Sequence, residues 1–152
     1  MSTQKKQKRV IATNRRARHD YEVEEQYEAG LVLTGTEVKS LRQGHSTITE
    51  GYVVIKEGEA WIHQIFIAEY SHGNRENHEP RRPRKLLLSL REIAKIQKKI
   101  DQRGFSSFAM ELYFNGPWVK ILLGVGRGKK SYDKRQAEKA KTARRELRKA
   151  DW

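Results

Sequence analysis

Few residues in this chain are of types that could do chemistry, and their spacing decides what each could do. Gly124-Val-Gly-Arg-Gly-Lys-Lys-Ser131 resembles a phosphate-binding loop. A Walker A loop needs four residues between its glycines and a Ser or Thr directly after the lysine. Here three residues separate Gly124 from Gly128, and Lys130 stands where the hydroxyl should be. A dinucleotide loop would need a parallel βαβ unit, and none is patterned here. The run is therefore expected to be a flexible hinge whose small residues let backbone approach phosphate. Glu22, Glu24, Glu25 and Glu28 could serve acid–base work or hold a cation. Most of them alternate with Tyr21, Val23, Tyr27 and Ala29, which marks the solvated side of a strand. Glu28, just before Gly30, is the exception: a carboxylate there could accept from a guanine edge or a 2′-hydroxyl. The five histidines lack metal-ligand spacing, there is no cysteine, and no G-x-S-x-G elbow occurs. No catalytic residue, metal or cofactor is expected.

What remains is Arg and Lys with aromatics set among them. Arg81-Arg82-Pro83-Arg84-Lys85 precedes the apolar Leu86–Leu88, Trp118 alternates with Lys120, and Tyr132 lies between Lys130 and Lys134. Cations for phosphates and ring faces for unpaired bases are the ingredients of structured-RNA recognition. Trp118 fits a core position as well as a stacking one, whereas Tyr132, outside any apolar pattern, fits stacking.

The net charge of +13 is unevenly placed. Residues 1–19 carry seven Lys/Arg and no acid, and residues 127–152 carry eleven Lys/Arg against four acids. Residues 20–126 are near neutral, with fourteen bases and fifteen acids. Two basic arms on a neutral body suit capture of a polyanion. An anionic membrane is the competing partner, but the tail has no broad apolar face and the chain carries no lipidation signal. No apolar run reaches the ~20 residues of a membrane span, and the basic N-terminus lacks the apolar stretch of a signal peptide. The absence of cysteine permits a reducing cytoplasm.

The elements that would position these residues follow from periodicity. Residues 1–19 are expected to be a disordered arm that orders on its partner. Residues 20–125 form the body. A strand runs from Tyr21 to Ala29, is interrupted at Gly30 and resumes at Leu31. A helix over Thr36–Arg42 is capped by Thr36 and stopped by Gly44. Tyr52–Lys56 and Glu59–Ile67 form a hairpin around Glu57-Gly58. Ser89 and Glu92 form a capping box opening a helix that ends at Gly104, with Leu90, Ile93, Ile96 and Ile100 as its apolar stripe. Strands at 106–114 and 118–125 join at Asn115-Gly116-Pro117. The tail, 126–152, has a helical pattern capped by Asp133, but only Ala137, Ala140, Ala143 and Leu147 as an apolar face. It is expected to be disordered when free and helical when bound. Together these elements predict a mainly β fold: an OB-like antiparallel β-barrel of about six strands with two or three flanking helices.

Five strings, NRRARHDY (14–21), EAGLVLTGTEVKSLRQG (28–44), GEAWI (58–62), RKLLL (84–88) and GRGKKSYDKR (126–135), resemble the SmpB family in order and over most of the chain. The resemblance implies an OB-like body bound to the tRNA-like domain of transfer-messenger RNA (tmRNA), brought to ribosomes stalled without an A-site codon. It implies a tail that probes the decoding centre of the small subunit and lies as a helix in the empty mRNA channel. Alanyl-tRNA synthetase and elongation factor Tu would be indirect partners through charged tmRNA. By position, Glu28, Leu87 and Lys120 match family residues implicated in tmRNA binding. Asn14, Arg16, Arg18, Glu37, Lys39, Arg84 and Lys85, in the matching strings, and Trp118, which alternates with Lys120, are further candidates for that face. Gly128, Lys129, Lys130, Tyr132, Asp133, Lys134 and Arg135 fall in the implied ribosomal motif. Tyr132 stands where other members carry His, which keeps stacking and loses imidazole hydrogen bonding.

Overall fold

The alternation from Tyr21 onward becomes the longest strand on the first half of the chain, and the rest of the sheet is arranged around it. The structure is a computed structural model describing residues 8–72, 76–129 and 131–150, with the side chains of 131–134, 136, 137 and 148–150 outside that set. In chain order the elements are β1 (Lys8–Thr13), α1 (Ala17–Asp20), β2 (Tyr21–Leu31), α2 (Gly35–Arg42), β3 (Ser46–Thr47), β4 (Tyr52–Lys56), β5 (Glu59–His63), β6 (Phe66–Ile67), β7 (Arg84–Leu87), α3 (Leu90–Ile100), β8 (Phe105–Asn115), β9 (Trp118–Gly128) and α4 (Ser131–Ala150). Among the described residues six strands pair in the order β8-β4-β5-β7-β2-β9, and β9 returns to β8 to close a ring. All of these pairings are antiparallel. The mainly β expectation and the ring of about six strands are met. β1 lies against the outer edge of β8, and β3 pairs with β6.

The core fills the ring with inward residues of alternating strands: Ile121 and Leu123 from β9, Leu112 from β8, Ala60 and Ile62 from β5, and Leu86 from β7. Leu41 of α2 closes one side, and Ile93 of α3 packs against the same cluster. Each fully buried aliphatic side chain stabilises the fold by about 1.5–3 kcal/mol. Ser89 and Glu92 form the expected capping box of α3. Leu90, expected on its apolar stripe, is instead 81% exposed in the first turn. Helix α2 is capped two residues earlier than expected, by Thr34 rather than Thr36, in a reciprocal box with Glu37. At the β4–β5 turn Glu57 and Gly58 both have positive φ, as a tight hairpin demands, but β5 ends at His63, and Gln64 at φ 62° breaks the long strand expected to reach Ile67.

Three further expectations change. Residues 8–19 are not a loose arm. β1 is paired with β8, its Ile11 and Ala12 pack on the core, and the Asn14 backbone N–H donates to the Met110 carbonyl at 2.8 Å. Residues 1–7 lie outside the described set. Gly30 does not interrupt β2; it is paired on both sides, and a Cβ there would press on Leu87 at 3.3 Å. Gly124 and Gly126 are not a hinge but buried strand residues of β9. A Cβ on Gly124 would lie 2.6 Å from the Phe108 ring, and one on Gly126 would overlap the Glu22 carbonyl. These glycines are there for close packing.

Helix α4 begins at Ser131, so Asp133 lies inside its first turn and not at its cap. Every described side chain of α4 is exposed. It touches the body where Glu138 meets His19 Nε2 at 3.0 Å.

Candidate nucleic-acid interface

Strand alternation fixes which side chains the ring presents outward. In β7 Arg84 and Leu86 point in, while Lys85 and Leu87 point out. Register then lines up residues from four strands. Tyr113 of β8 pairs with Lys120 of β9, Lys120 pairs with Gly30 of β2, and Gly30 pairs with Leu87 of β7. Because Gly30 has no side chain, Leu87 folds over it, and Leu87 is nevertheless 55% exposed. Two residues along β2, Glu28 lies on the same face, and its carboxylate accepts a hydrogen bond from the Tyr113 hydroxyl. Burial, and then Glu28 itself, push the Tyr113 phenol well above its ordinary value, so it remains the donor. Two residues along β9 from Lys120, Trp118 is 62% exposed at the end of the β8–β9 turn. This decides its role: it belongs to the surface.

The face so formed contains an immobilised carboxylate, an aliphatic platform, an indole and a cation. Lys120 makes no ion pair among the described residues. Lys85, on the same side of β7 as Leu87, is held at 2.9 Å by Glu59 and faces Trp61 across the strand pair. Lys8 sits 4.5 Å above the Tyr113 ring and is paired with Glu111 at 2.5 Å. Such a set can take phosphate at Lys120, stack a base or ribose on Trp118 and Leu87, and accept from a base edge or 2′-hydroxyl at Glu28. Among the described residues no group of three His, Asp or Glu is placed to hold a metal.

Not all of the sequence-derived candidates belong to it. Glu37 and Arg84 are both 0% exposed and are joined to each other, with Nε of Arg84 at 2.6 Å from Glu37. Arg82 donates to the same carboxylate at 2.5 Å, and Arg84 also donates to the carbonyls of Ile65 (2.9 Å) and Pro80 (3.1 Å). Burial alone would raise the Glu37 carboxyl. The Arg82 hydrogen bond, the Thr34 N–H and the Arg84 charge outweigh it and hold the group below the usual carboxylate range. This pair is a strut that ties α2 to β7. Asn14 is likewise inside, its amide donating to the carbonyls of Ala109 (2.8 Å) and Thr49 (3.4 Å). These three side chains are not available to an RNA. Lys39 is exposed on α2, 5.7 Å from the Tyr70 ring and away from the four-strand row.

The other candidates gather at the opposite end of the β2–β9 ladder, where Tyr21 pairs with Gly128. Nine residue steps along β2 separate Tyr21 from Gly30, about 30 Å at 3.3 Å per residue. There Lys129 donates from its backbone to the Asp20 carbonyl and from Nζ to the Arg18 carbonyl, both at 2.8 Å. Arg18 is exposed on α1 and Arg16 is exposed at its N-cap, where it approaches Asp20 at 3.8 Å. Arg135 is exposed on α4. Lys130 and the side chains of Tyr132, Asp133 and Lys134 lie outside the described residues. Tyr113, which fixes Glu28, was missed by sequence reasoning, since nothing in Glu-Leu-Tyr-Phe signals a partner 85 residues away.

Comparison with known proteins adds the following. The family model described as SmpB protein matches residues 11–151. The SsrA-binding protein of Leifsonia xyli subsp. xyli is 51% identical over 93% of this chain and 90% of its own length. That of Staphylococcus carnosus is 47% identical over 96% and 94%. A solved structure described as "tmRNA-SmpB: a journey to the center of the bacterial ribosome" contains a chain that superposes with a TM-score of 0.67 at 46% identity, covering 78% of this chain and 84% of that one. With the ring of strands, the outward row and the basic tail in place, these similarities settle the family: the chain belongs to the SmpB family.

Proposed function

We propose that this protein is an RNA-binding adaptor that holds the tRNA-like domain of tmRNA and delivers it to stalled ribosomes for trans-translation. The observation that carries the reading is the division of the exposed candidates into two groups at opposite ends of the β2–β9 ladder. One end, with Glu28, Leu87, Trp118 and Lys120, binds tmRNA, and Lys85, ion-paired with Glu59, lies beside it. The other, with Gly128, Lys129 and the residues leading into α4, serves the small subunit, its decoding centre and empty mRNA channel. Arg16 and Arg18 lie at that end, so they are assigned to the ribosomal group, in place of the tmRNA face the strings suggested. Family membership and a solved relative described with both tmRNA and the bacterial ribosome support the assignment of partners.

The adaptor does no chemistry of its own and works in the cytoplasm. Alanyl-tRNA synthetase and elongation factor Tu meet it only through charged tmRNA. The tail's helix is stabilised by its partner. Ordering about 20 residues costs on the order of 1–2 kcal/mol each, and the body offers α4 little apolar surface in return. A matching anionic channel supplies what is missing, so α4 gains its stability on ribosomes whose mRNA channel is empty. Gel-shift competition tests the partner: the tRNA-like domain of tmRNA should outcompete bulk tRNA and ribosomal RNA, and equal affinity for all three would sink the reading.

A further inference from the structure

Alternation sorts the β4–β5 hairpin as it sorts β7. Ala60 and Ile62 of β5 are buried, and Glu59, Trp61 and His63 point outward. In β4 Val53 is buried, while Tyr52, Val54 and Lys56 point outward. Register joins these outward side chains to the row already described. Trp61 pairs with Val54 on one side and with Lys85 on the other. Lys85 is two residues from Leu87, so Trp61 and Leu87 share the outer surface of adjacent strands. His63 pairs with Tyr52, and their rings stack with centres 5.6 Å apart. Beside the indole is a cleft of about 380 Å³, walled by Val54, Trp61, His63 and the exposed Pro83. That volume lies within the ~300–1,000 Å³ of small-ligand sites.

What the cleft can hold follows from its charges. Glu57 and Glu59 line it together with Lys56, and Lys85 holds Glu59 at 2.9 Å. Two carboxylates against two lysines leave no surplus cation for a phosphate. The cleft instead offers ring surface with carboxylates at hand, which fits a flat, uncharged group that carries N–H donors. An unpaired base is such a group: it stacks on the indole and donates an amino or ring N–H to a carboxylate. Position supplies the occupant, since the strip from Trp61 through Lys85 to Leu87 is continuous with the face assigned to tmRNA. We infer that the cleft on Trp61 takes one unpaired base of the tRNA-like domain, next to the nucleotides held at Leu87 and Lys120. The β4–β5 hairpin thus takes part in RNA binding. This rests on the tmRNA reading and carries its footprint across β7 onto β5.

The test combines fluorine NMR with affinity. The full chain labelled with 5-fluorotryptophan gives one resonance for each of its three tryptophans, and the one lost in Trp61→Phe belongs to Trp61. Saturation with the tRNA-like domain should shift that resonance in the unaltered chain. Trp61→Leu should bind the same RNA roughly tenfold more weakly, the worth of one stacked base, and Trp61→Phe within about threefold of the parent. Neither variant should change the slope of log K against log salt, because a stacked base releases no counterion. Trp61 is partly buried, so affinities are compared where circular dichroism shows each variant folded. The resonance of the unaltered chain is read whatever the variants' stability. An unmoved resonance, or full affinity in Trp61→Leu, would overturn the base site, and Lys120→Ala still weakening binding would leave the function standing. A resonance that shifts with ribosomes but not with the tRNA-like domain would overturn it too, since the cleft would then serve another macromolecule. Failure of the unaltered chain to prefer the tRNA-like domain would instead refute the function.

Discussion

Replacing Glu37 by Gln should destabilise the fold without touching RNA affinity. The side chain is wholly buried, and the change leaves the equally buried Arg84 guanidinium without its counter-charge. Breaking one side of a buried ion pair costs about 3–5 kcal/mol. Arg84 keeps its hydrogen bonds to the Ile65 and Pro80 carbonyls, which places the loss near the lower figure. For a chain of this length 1 kcal/mol corresponds to about 2–4 °C, so the melting temperature should fall by roughly 6–12 °C. Circular dichroism melts at pH 7 measure this, alongside gel shifts at a temperature where both proteins are folded. Affinity for the tRNA-like domain should stay within about twofold, since the carboxylate reaches no surface. The pH dependence follows from the sign of the Glu37 shift. A carboxyl held below its ordinary value stabilises the fold above the usual carboxylate range, and that stability is lost as pH falls through the folded-state value. The gap between the two proteins should therefore narrow in acid. A variant that melts with the parent yet binds RNA tenfold more weakly would refute the strut and restore Glu37 as a contact.

Other substitutions probe the face itself. Tyr113→Phe removes the donor that fixes Glu28 and should weaken RNA binding about 3–10-fold in fluorescence anisotropy, the worth of one hydrogen bond; full affinity would show that Glu28 needs no positioning. Leu87→Ala and Lys120→Ala should each lose affinity with melting temperatures within about 2 °C of the parent, because neither side chain is buried. Lys120→Ala alone should also reduce the salt slope by about one unit, and an unchanged slope would remove Lys120 from the phosphate contacts. Gly126→Ala sets a Cβ against the Glu22 carbonyl and forces β2 from β9, at a cost of at least about 2 kcal/mol. A parent-like melt would contradict the packing role given to that glycine.

Strand and helix periodicity carried most of the architecture, because alternation in β2, β4 and β9 and the box at Ser89 are local properties. The Thr34-x-x-Glu37 spacing is itself that of a capping box, whereas Thr36 has a lysine three residues on. Arg84 was legible too: period two puts it on the same side as Leu86, yet the basic run around it reads as one exposed patch. What no local pattern contains is register. The row Tyr113–Lys120–Gly30–Leu87 depends on which strands meet, and so does the pairing that turns residues 8–13 from an arm into an edge strand. Gly124 and Gly126 look like a loop because glycine signals freedom as readily as close packing. Only the neighbouring Phe108 ring and Glu22 carbonyl distinguish the two.

The central claim is that tmRNA selection belongs to the ring of strands and ribosome engagement to the tail. The direct test is the dissociation constant for the tRNA-like domain of a chain truncated after Lys130. A value within about threefold of the full chain is expected, because the Leu87–Lys120 end lies about 30 Å along the ladder from where the tail leaves it. A loss of a hundredfold or more would contradict the division and make α4 part of the tmRNA site.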